Sequence, residues 1–497
     1  MDFEKDYYAV LEISHTASLE DIRRAYRRLA RRYHPDTSDE PDAAERFREV
    51  QTAYEILGDE VQRVAYDRTR RETGVAPADT LEAVLAWELT VSRQTLPCLQ
   101  EDQVLYLLAD ISPAMSMEAR RLPLNLCLVI DRSTSMQDGR RMEQVKAAAH
   151  QIIDDLRDTD AFAVVAFSDR AEVVVPSHWG GDKLQAKAKI SAVRPSGGTE
   201  IFQGLSVGLQ ELNRRRRLQA VNHLILLTDG QTYGDEQQCI ELADEAHRQG
   251  IGISAFGIGE DWNDKLLDTI ASKSDGVSAY VDSVAQVRRL LRQRVQGLSS
   301  IYARDLKLTL RLDKSTRVED AFKLSPYIQR LDISVPGELF LGSLEADRPL
   351  SVLLQLIVGP HTAGRQRVVQ LEISGDTPAV GRQGERLMRE LWFQFTQHPT
   401  TETEVPANLV NALGKLAIYK MQEQAYEALE SGDSKTASDK LEVVATRLLD
   451  LGELELANAA RLEAGRVAHS GSLSPAGRKK LKYGTRSLTI GDGGGQE

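Results

Sequence analysis

The sequence is poor in sulfur. Three cysteines occur among 497 residues, Cys98, Cys127 and Cys239, and their separations fit neither a zinc site nor a redox motif. Cys127 stands in an apolar run and reads as a small core residue. A reducing, cytoplasmic location is the default expectation. No apolar run reaches the ~18 residues that a membrane-spanning helix needs, so no membrane insertion is expected. The opening MDFEKDYYAVLEI has no basic head followed by an apolar core and does not read as a secretory signal. Positive charge is in deficit: 62 Lys and Arg face 74 Asp and Glu, a net charge of −12. That excludes bulk attraction to nucleic acid or an anionic membrane. No phosphate-cradling G-x-x-x-x-G-K-[ST] occurs and no nucleophile–base pair stands out, so the chain is not expected to be an enzyme.

What is present is ordinary soluble material, 41% hydrophobic and 27% charged, long enough for two to four domains. One segment departs from the acidic background. RRAYRRLARRYHPDTSD places six arginines in residues 23–32 and stops at His34-Pro35-Asp36. Ser18-Leu19-Glu20-Asp21 has the form of a capping box. Ile22, Ala25, Tyr26, Leu29 and Tyr33 then follow at helical spacing as one apolar stripe. The arginine pairs recur every four residues along the rest of the cylinder. Pro35 cannot continue the helix. A second helical pattern carries Ala44, Phe47, Val50, Tyr54 and Leu57, so two helices are expected to pair across a His-Pro-Asp loop. Residues 1–70 hold twelve Lys and Arg against sixteen Asp and Glu. This weighs against a nucleic-acid arm.

These residues, with Asp6-Tyr7-Tyr8-Ala9-Val10-Leu11 before them and Ala53-Tyr54-Glu55-Ile56-Leu57 and Ala65-Tyr66-Asp67 after them, resemble the J-domain of DnaJ-type co-chaperones. The resemblance implies that Tyr26, Arg27, Arg28, His34, Pro35 and Asp36 dock onto a DnaK-type ATPase chaperone and stimulate its hydrolysis. Glu12 stands where the family often has glycine, and Val61-Gln62-Arg63-Val64 replaces a more basic run. Residues 71–85 contain Gly74 and Pro77 and read as a linker.

From 119 to 299 short apolar runs alternate with amphipathic helices. Strands are expected at 125–130, 161–167, 172–175, 223–227, 251–257 and 277–281. Helices are expected at 140–157, 183–192, 201–214, 236–249, 263–273 and 284–297. The alternation predicts a doubly wound α/β domain whose mostly parallel sheet is covered on both faces. Ligands in such domains bind at the carboxyl ends of strands. There NLCLVI runs into Asp131-Arg132-Ser133-Thr134-Ser135, a loop carries Ser196-Gly197-Gly198-Thr199, and HLILLT ends at Asp229-Gly230. Two carboxylates and three hydroxyls are an all-oxygen set, suited to a hard cation. Order and spacing resemble the metal-ion-dependent adhesion site of von Willebrand factor A domains. The resemblance implies that Asp131, Ser133, Ser135, Thr199 and Asp229 hold Mg²⁺ or Mn²⁺, directly or through water. The family commonly has glycine where Thr134 stands. Arg214–Arg217 read as a helix C-terminus, and His178-Trp179 as packing within a Gly-rich loop.

Alternating runs flank this domain at 88–92 and 104–111, and again at 306–312, 328–335, 338–344, 350–357 and 366–373. They predict a β-sandwich assembled from both sides, 86–118 and 300–405, with the A-type domain inserted in it. Residues 406–470 read as a helical hairpin or three-helix unit. Residues 471–497, basic and then glycine-rich, are expected to be a disordered tail. The whole reads as a multidomain co-chaperone that recruits a DnaK-type ATPase. Its A-type domain would bind a client or assembly partner that offers an acidic side chain. A scaffold in a bacterial signalling or conflict complex, with a regulatory J-domain, is the alternative.

Overall fold

The structure, a computed structural model, describes residues 7–11, 19–33, 43–59, 63, 66, 84–114, 120–217, 219–232, 234–397 and 404–488. The chain divides into two compact units, one N-terminal to Leu85 and one from Leu85 onward, with 114–117 belonging to the first. In the first, a short helix α1 (Tyr7–Val10) precedes α2 (Leu19–Arg32) and α3 (Ala43–Leu57). The spacing of Ile22, Ala25, Leu29 and Tyr33 puts one face of α2 into a core with Tyr7, Tyr8, Leu11, Val50, Ala53, Ile56, Leu57 and Tyr66. The Tyr66 hydroxyl accepts from the Tyr7 amide at 3.1 Å, and Arg63 Nε donates to the Tyr8 hydroxyl at 2.8 Å. Ser18, His34, Pro35, Asp36 and linker residues 71–83 lie outside the described residues.

The second unit has three sheets. Its strands are β1 (Leu85–Val91), β2 (Thr95–Pro97), β3 (Gln103–Pro113), β4 (Leu124–Asp131), β5 (Ala161–Phe167), β6 (Ala171–Trp179), β7 (Val221–Thr228), β8 (Ile251–Ile258), β9 (Ser278–Val281), β10 (Ile301–Leu312), β11 (Thr316–Lys323), β12 (Gln329–Arg330), β13 (Glu338–Glu345), β14 (Leu350–Val358), β15 (Gly364–Thr377) and β16 (Arg382–Thr396). The central sheet has the order β6-β5-β4-β7-β8-β9; every pair in it is parallel except β5–β6. Side chains alternate across β4, so Leu124, Leu126, Leu128 and Ile130 enter one core and Cys127 and Val129 the other. Helices α4 (Arg141–Asp155), α5 (Lys183–Ala192) and α9 (Val284–Ser299) cover the first face. Helices α6 (Ile201–Arg214), α7 (Glu236–Arg248) and α8 (Asp264–Lys273) cover the second.

Helix α6 approaches the sheet so closely that it needs glycine. A Cβ at Gly208 would come within 2.6 Å of a Val129 methyl and 2.8 Å of a Leu224 methyl. Gly204 faces Phe167 and Val129 in the same way. The i, i+4 glycines therefore form the contact stripe rather than a break in the helix.

The other two sheets form the sandwich, with orders β1-β3-β14-β11-β12 and β13-β10-β15-β16-β2. Strand β3 pairs antiparallel with β14, from Leu350 opposite Ile111 to Val358 opposite Gln103. The chain thus leaves the sandwich after β3, builds the α/β domain, and returns at β10. Three strands were not legible in the sequence, the short β2 and the longer β11 and β16. β11 and β16 are rich in charge and lack a clean apolar alternation (TRVEDAFK and RQGERLMRELWFQFT), and only Phe393 and Phe395 of β16 are buried. The run 328–335 is not a full strand: it pairs only at Gln329–Arg330, and Ile333 and Val335 are exposed. His178 and Trp179 end strand β6 rather than sit in a loop, with the Arg217 guanidinium 4.0 Å from the Trp179 ring.

Helices α10 (Ala407–Glu430), α11 (Ser434–Asp450) and α12 (Leu454–Ser470) pack with Leu108, Phe322 and Leu353 of the sandwich. The expectation of a disordered tail from 471 is corrected by α13 (Pro475–Arg486), a fourth helix. Ser474 caps it by accepting from the Gly477 amide at 2.9 Å, and Pro475 stands in its first turn. Two of its basic side chains are held in ion pairs with α8. Lys482 pairs with Asp264 and Asp268, and Arg486 with Asp268 at 2.9 Å. Residues 489–497 lie outside the described residues.

Candidate functional site

Strands β4 and β7 are neighbours in register, so their carboxyl ends bring Asp131 and Asp229 side by side. Both are buried, at 0% and 1% exposure. Bare carboxylates in such a place are costly unless hydrogen-bonded or paired. Asp131 accepts from the Ser133 amide at 2.7 Å and from the Thr228 hydroxyl at 2.6 Å. Asp229 Oδ1 accepts from the Ser135 hydroxyl at 2.7 Å and, more weakly, from Ser133 at 3.4 Å. The two serine hydroxyls are 3.0 Å apart. Asp229 Oδ2 accepts from Arg141 Nη1 at 2.7 Å.

The loop bearing Thr199 is tied into this cluster. The Thr134 amide donates to the Gly197 carbonyl at 3.1 Å, and the Ser196 amide to the Arg132 carbonyl at 2.6 Å. Gly197 takes a left-handed φ of +82°, with Ser168 and Asp169 crowded against its α-carbon. The Thr199 hydroxyl lies over Gly230, where a Cβ would come within 2.7 Å of it. The five residues singled out in the sequence therefore gather at the carboxyl ends of the central strands β4 and β7. Thr228 and Arg141 were missed. Thr228 reads as the last residue of an apolar strand, and Arg141 as one more basic residue opening a helix.

The electrostatics are those of a site short of positive charge. Burial pushes the Asp131 carboxyl up to about 6, against the opposing hydrogen bonds from Thr228 and Ser133, and the neighbouring Asp229 adds to the rise. Two carboxylates face one guanidinium. With hydroxyls of Ser133, Ser135 and Thr199 as further oxygen donors, the residues fit a small hard cation. Among the described residues no cluster of three or more His, Cys, Asp or Glu suits a metal; the present set depends instead on hydroxyl oxygens.

In the N-terminal unit, Arg27 and Arg28 are exposed on α2. Tyr26 is half-buried, stacked on Tyr54 with ring centroids 4.2 Å apart. Tyr26 thus helps to hold α2 on α3 beside the exposed arginines.

Residues 6–67 match the family described as DnaJ domain, 125–293 the von Willebrand factor type A domain, and 407–490 the Sll0103-like, C-terminal alpha-helical domain. Protein sll0103 of Synechocystis sp. is 31% identical over 373 residues, which cover 73% of this chain and 87% of the relative. The chain belongs to the sll0103 family. It carries a DnaJ domain at its N-terminal end, 55% identical over 65 residues to the chaperone protein DnaJ of an Exiguobacterium species. That match spans 13% of this chain and 18% of the DnaJ protein. Two solved structures share the fold. The von Willebrand factor type A protein from Catenulispora acidiphila has a TM-score of 0.66 at 18% identity, over 83% of this chain and 98% of the other. The ArnB paralog VWA2 from Sulfolobus acidocaldarius has a TM-score of 0.53 at 13% identity, over 82% and 100%. The DnaJ domain points to a co-chaperone role and the A-type domain to protein interaction.

Proposed function

We propose that this sll0103-family protein is a non-enzymatic co-chaperone of the cytoplasm that recruits a DnaK-type ATPase through its J-domain and binds a protein partner through a divalent-cation site in its A-type domain. The observation that carries the second half is the cluster of buried Asp131, Asp229 and Ser133 with half-buried Ser135, and Thr199 at its edge. Asp229, Ser133, Ser135 and Thr199 would hold Mg²⁺ or Mn²⁺, and Asp131 would orient the serine loop through the Ser133 amide. When bound, the cation would supply an electrophilic contact for a carboxylate of the partner. The J-domain half rests on the exposed Arg27 and Arg28 of α2 and on the His-Pro-Asp sequence that follows it. Holding ATPase and partner on one chain raises their effective concentration for each other.

The test uses the full chain, a DnaK-type ATPase and a partner captured in Mg²⁺ and eluted by chelator. His34→Gln is expected to abolish ATPase stimulation and leave partner capture unchanged. Asp131→Ala is expected to do the reverse. Stimulation that survives His34→Gln refutes the docking role. Capture indifferent to chelator refutes the cation role. Recovery of unfolded chains marks client delivery, whereas one folded partner marks a scaffold.

A further inference from the structure

Arg141 is the first residue of α4, and its guanidinium enters the carboxylate cluster from the rim. Its side chain keeps 23% exposure, whereas that of Asp229 has none. On its far side lies Gly259, at the turn that ends β8. That glycine has a φ of +73°, and a Cβ there would come within 2.7 Å of Arg141 Nη2. The Trp262 indole N–H, donating to the Gly259 carbonyl at 2.8 Å, holds this turn in place. The guanidinium is thus seated between a buried carboxylate and a bare, braced backbone turn.

The two oxygens of Asp229 divide their work. Oδ1 takes the hydroxyls of Ser135 and Ser133, and Oδ2 takes Arg141. A cation drawing on Asp229 therefore meets a carboxylate already neutralised by a fixed positive charge. Two cations sharing one buried carboxylate repel each other strongly in a low dielectric.

We propose that Arg141 is a resident counter-cation that competes with the divalent cation for Asp229, so that the site exchanges between an arginine-latched form and a cation-loaded form. The proposal rests on the cation reading of this cluster. In the loaded form the guanidinium is released at the rim, where its planar fork suits a partner's carboxylate. Cation loading and recognition of an acidic side chain are then coupled through one residue.

The experiment is Mn²⁺ binding to the full chain, read by the spin-resonance signal of free Mn²⁺ and by titration calorimetry. It compares wild type with Arg141→Gln, Arg141→Ala and Arg141→Lys, each checked by its melting curve. Both neutral variants are expected to bind Mn²⁺ roughly tenfold more tightly than wild type, and the lysine variant within a few-fold of it. Ser135→Ala added to Arg141→Gln is expected to weaken binding again. Two neutral variants let one stand if the other melts early. Equal or weaker binding in a folded neutral variant overturns the competition and leaves the cation reading standing. No saturable binding in any of the proteins overturns both.

Discussion

Thr228 shows how much one side chain settles at the candidate site. Its hydroxyl is the second donor to the buried Asp131 carboxylate, at 2.6 Å. The residue itself has no exposure, so water cannot replace that hydroxyl. Thr228→Val keeps the shape and the β-branch suited to a strand but leaves one carboxylate oxygen without its donor. The expected cost is about 1–3 kcal/mol, read as a lower urea midpoint for the cation-free protein at neutral pH. A midpoint equal to wild type would show that this hydrogen bond adds nothing to stability. The acid residues were legible because Asp, Ser and Thr at strand ends form a recognisable order. Thr228 and Arg141 were not, because their roles depend on which strands are neighbours.

At the scale of the element, α13 is where sequence and structure differ most. Lys482 and Arg486 suggest a solvated end only while their counter-charges, Asp264 and Asp268 on the distant α8, are unknown. Asp268 lies among them. Burial works to raise its carboxyl, but Arg486 and Lys482 outweigh it and hold Asp268 below the ordinary range. Lys479 is inserted more deeply. Its ammonium donates to the carbonyls of Glu260 and Trp262 and stands 4.3 Å from the centre of the Trp262 ring. Burial pulls Lys479 down to about 8, with Lys482 adding to the fall; Asp264, Asp261 and Glu260 oppose it. Between about 8 and the ordinary 10.5 the unfolded chain holds this proton and the folded chain does not. Stability from this group therefore rises with pH across that window, and below it the full cost of burying the charge is present. The stability of wild type relative to Lys479→Met should move in favour of wild type by on the order of 1 kcal/mol between pH 7 and pH 10. A difference that does not change over that range would contradict the assignment.

The whole molecule is organised by one interruption. Strands β1 and β3 come before the α/β domain in sequence, yet β3 lies against β14, which follows it. The face of β14 is apolar over almost its whole length, LSVLLQLIV. Without β3 that strand would be an uncovered hydrophobic edge. A chain beginning at Arg120 is expected to aggregate or to melt without a cooperative transition. A chain beginning at Val84 is expected to stay monodisperse, to bind Mn²⁺ as the full chain does, and to lose ATPase stimulation. Size-exclusion chromatography and melting curves of the two truncations check this; a well-folded chain from Arg120 would show that the sandwich strands before the α/β domain are dispensable. The fold classes were readable from hydrophobic period alone: 3.6 in the J-domain and C-terminal helices, buried runs in the α/β sheet, alternation in the sandwich. β11 and β16 escaped notice because their outward faces carry charge and little of β16 is buried.

By itself the sequence determined whatever is local. The α2 stripe from Ile22 to Tyr33 was readable there, as were the paired cores on either side of β4 and the ordered oxygen donors from Asp131 to Asp229. Each depends on spacing within one element or on residue types at its end. The tertiary structure decided whatever needs two distant segments to meet. It joined Thr228 to Asp131, Arg141 to Asp229, α13 to Asp264 and Asp268, and β3 to β14. An ion pair or a strand pair has no signature in either of its halves, since the same arginine or apolar run serves equally well against water, a helix end or another strand. Only the packed fold fixes the partner, by bringing it into contact and removing the water that would otherwise take its place.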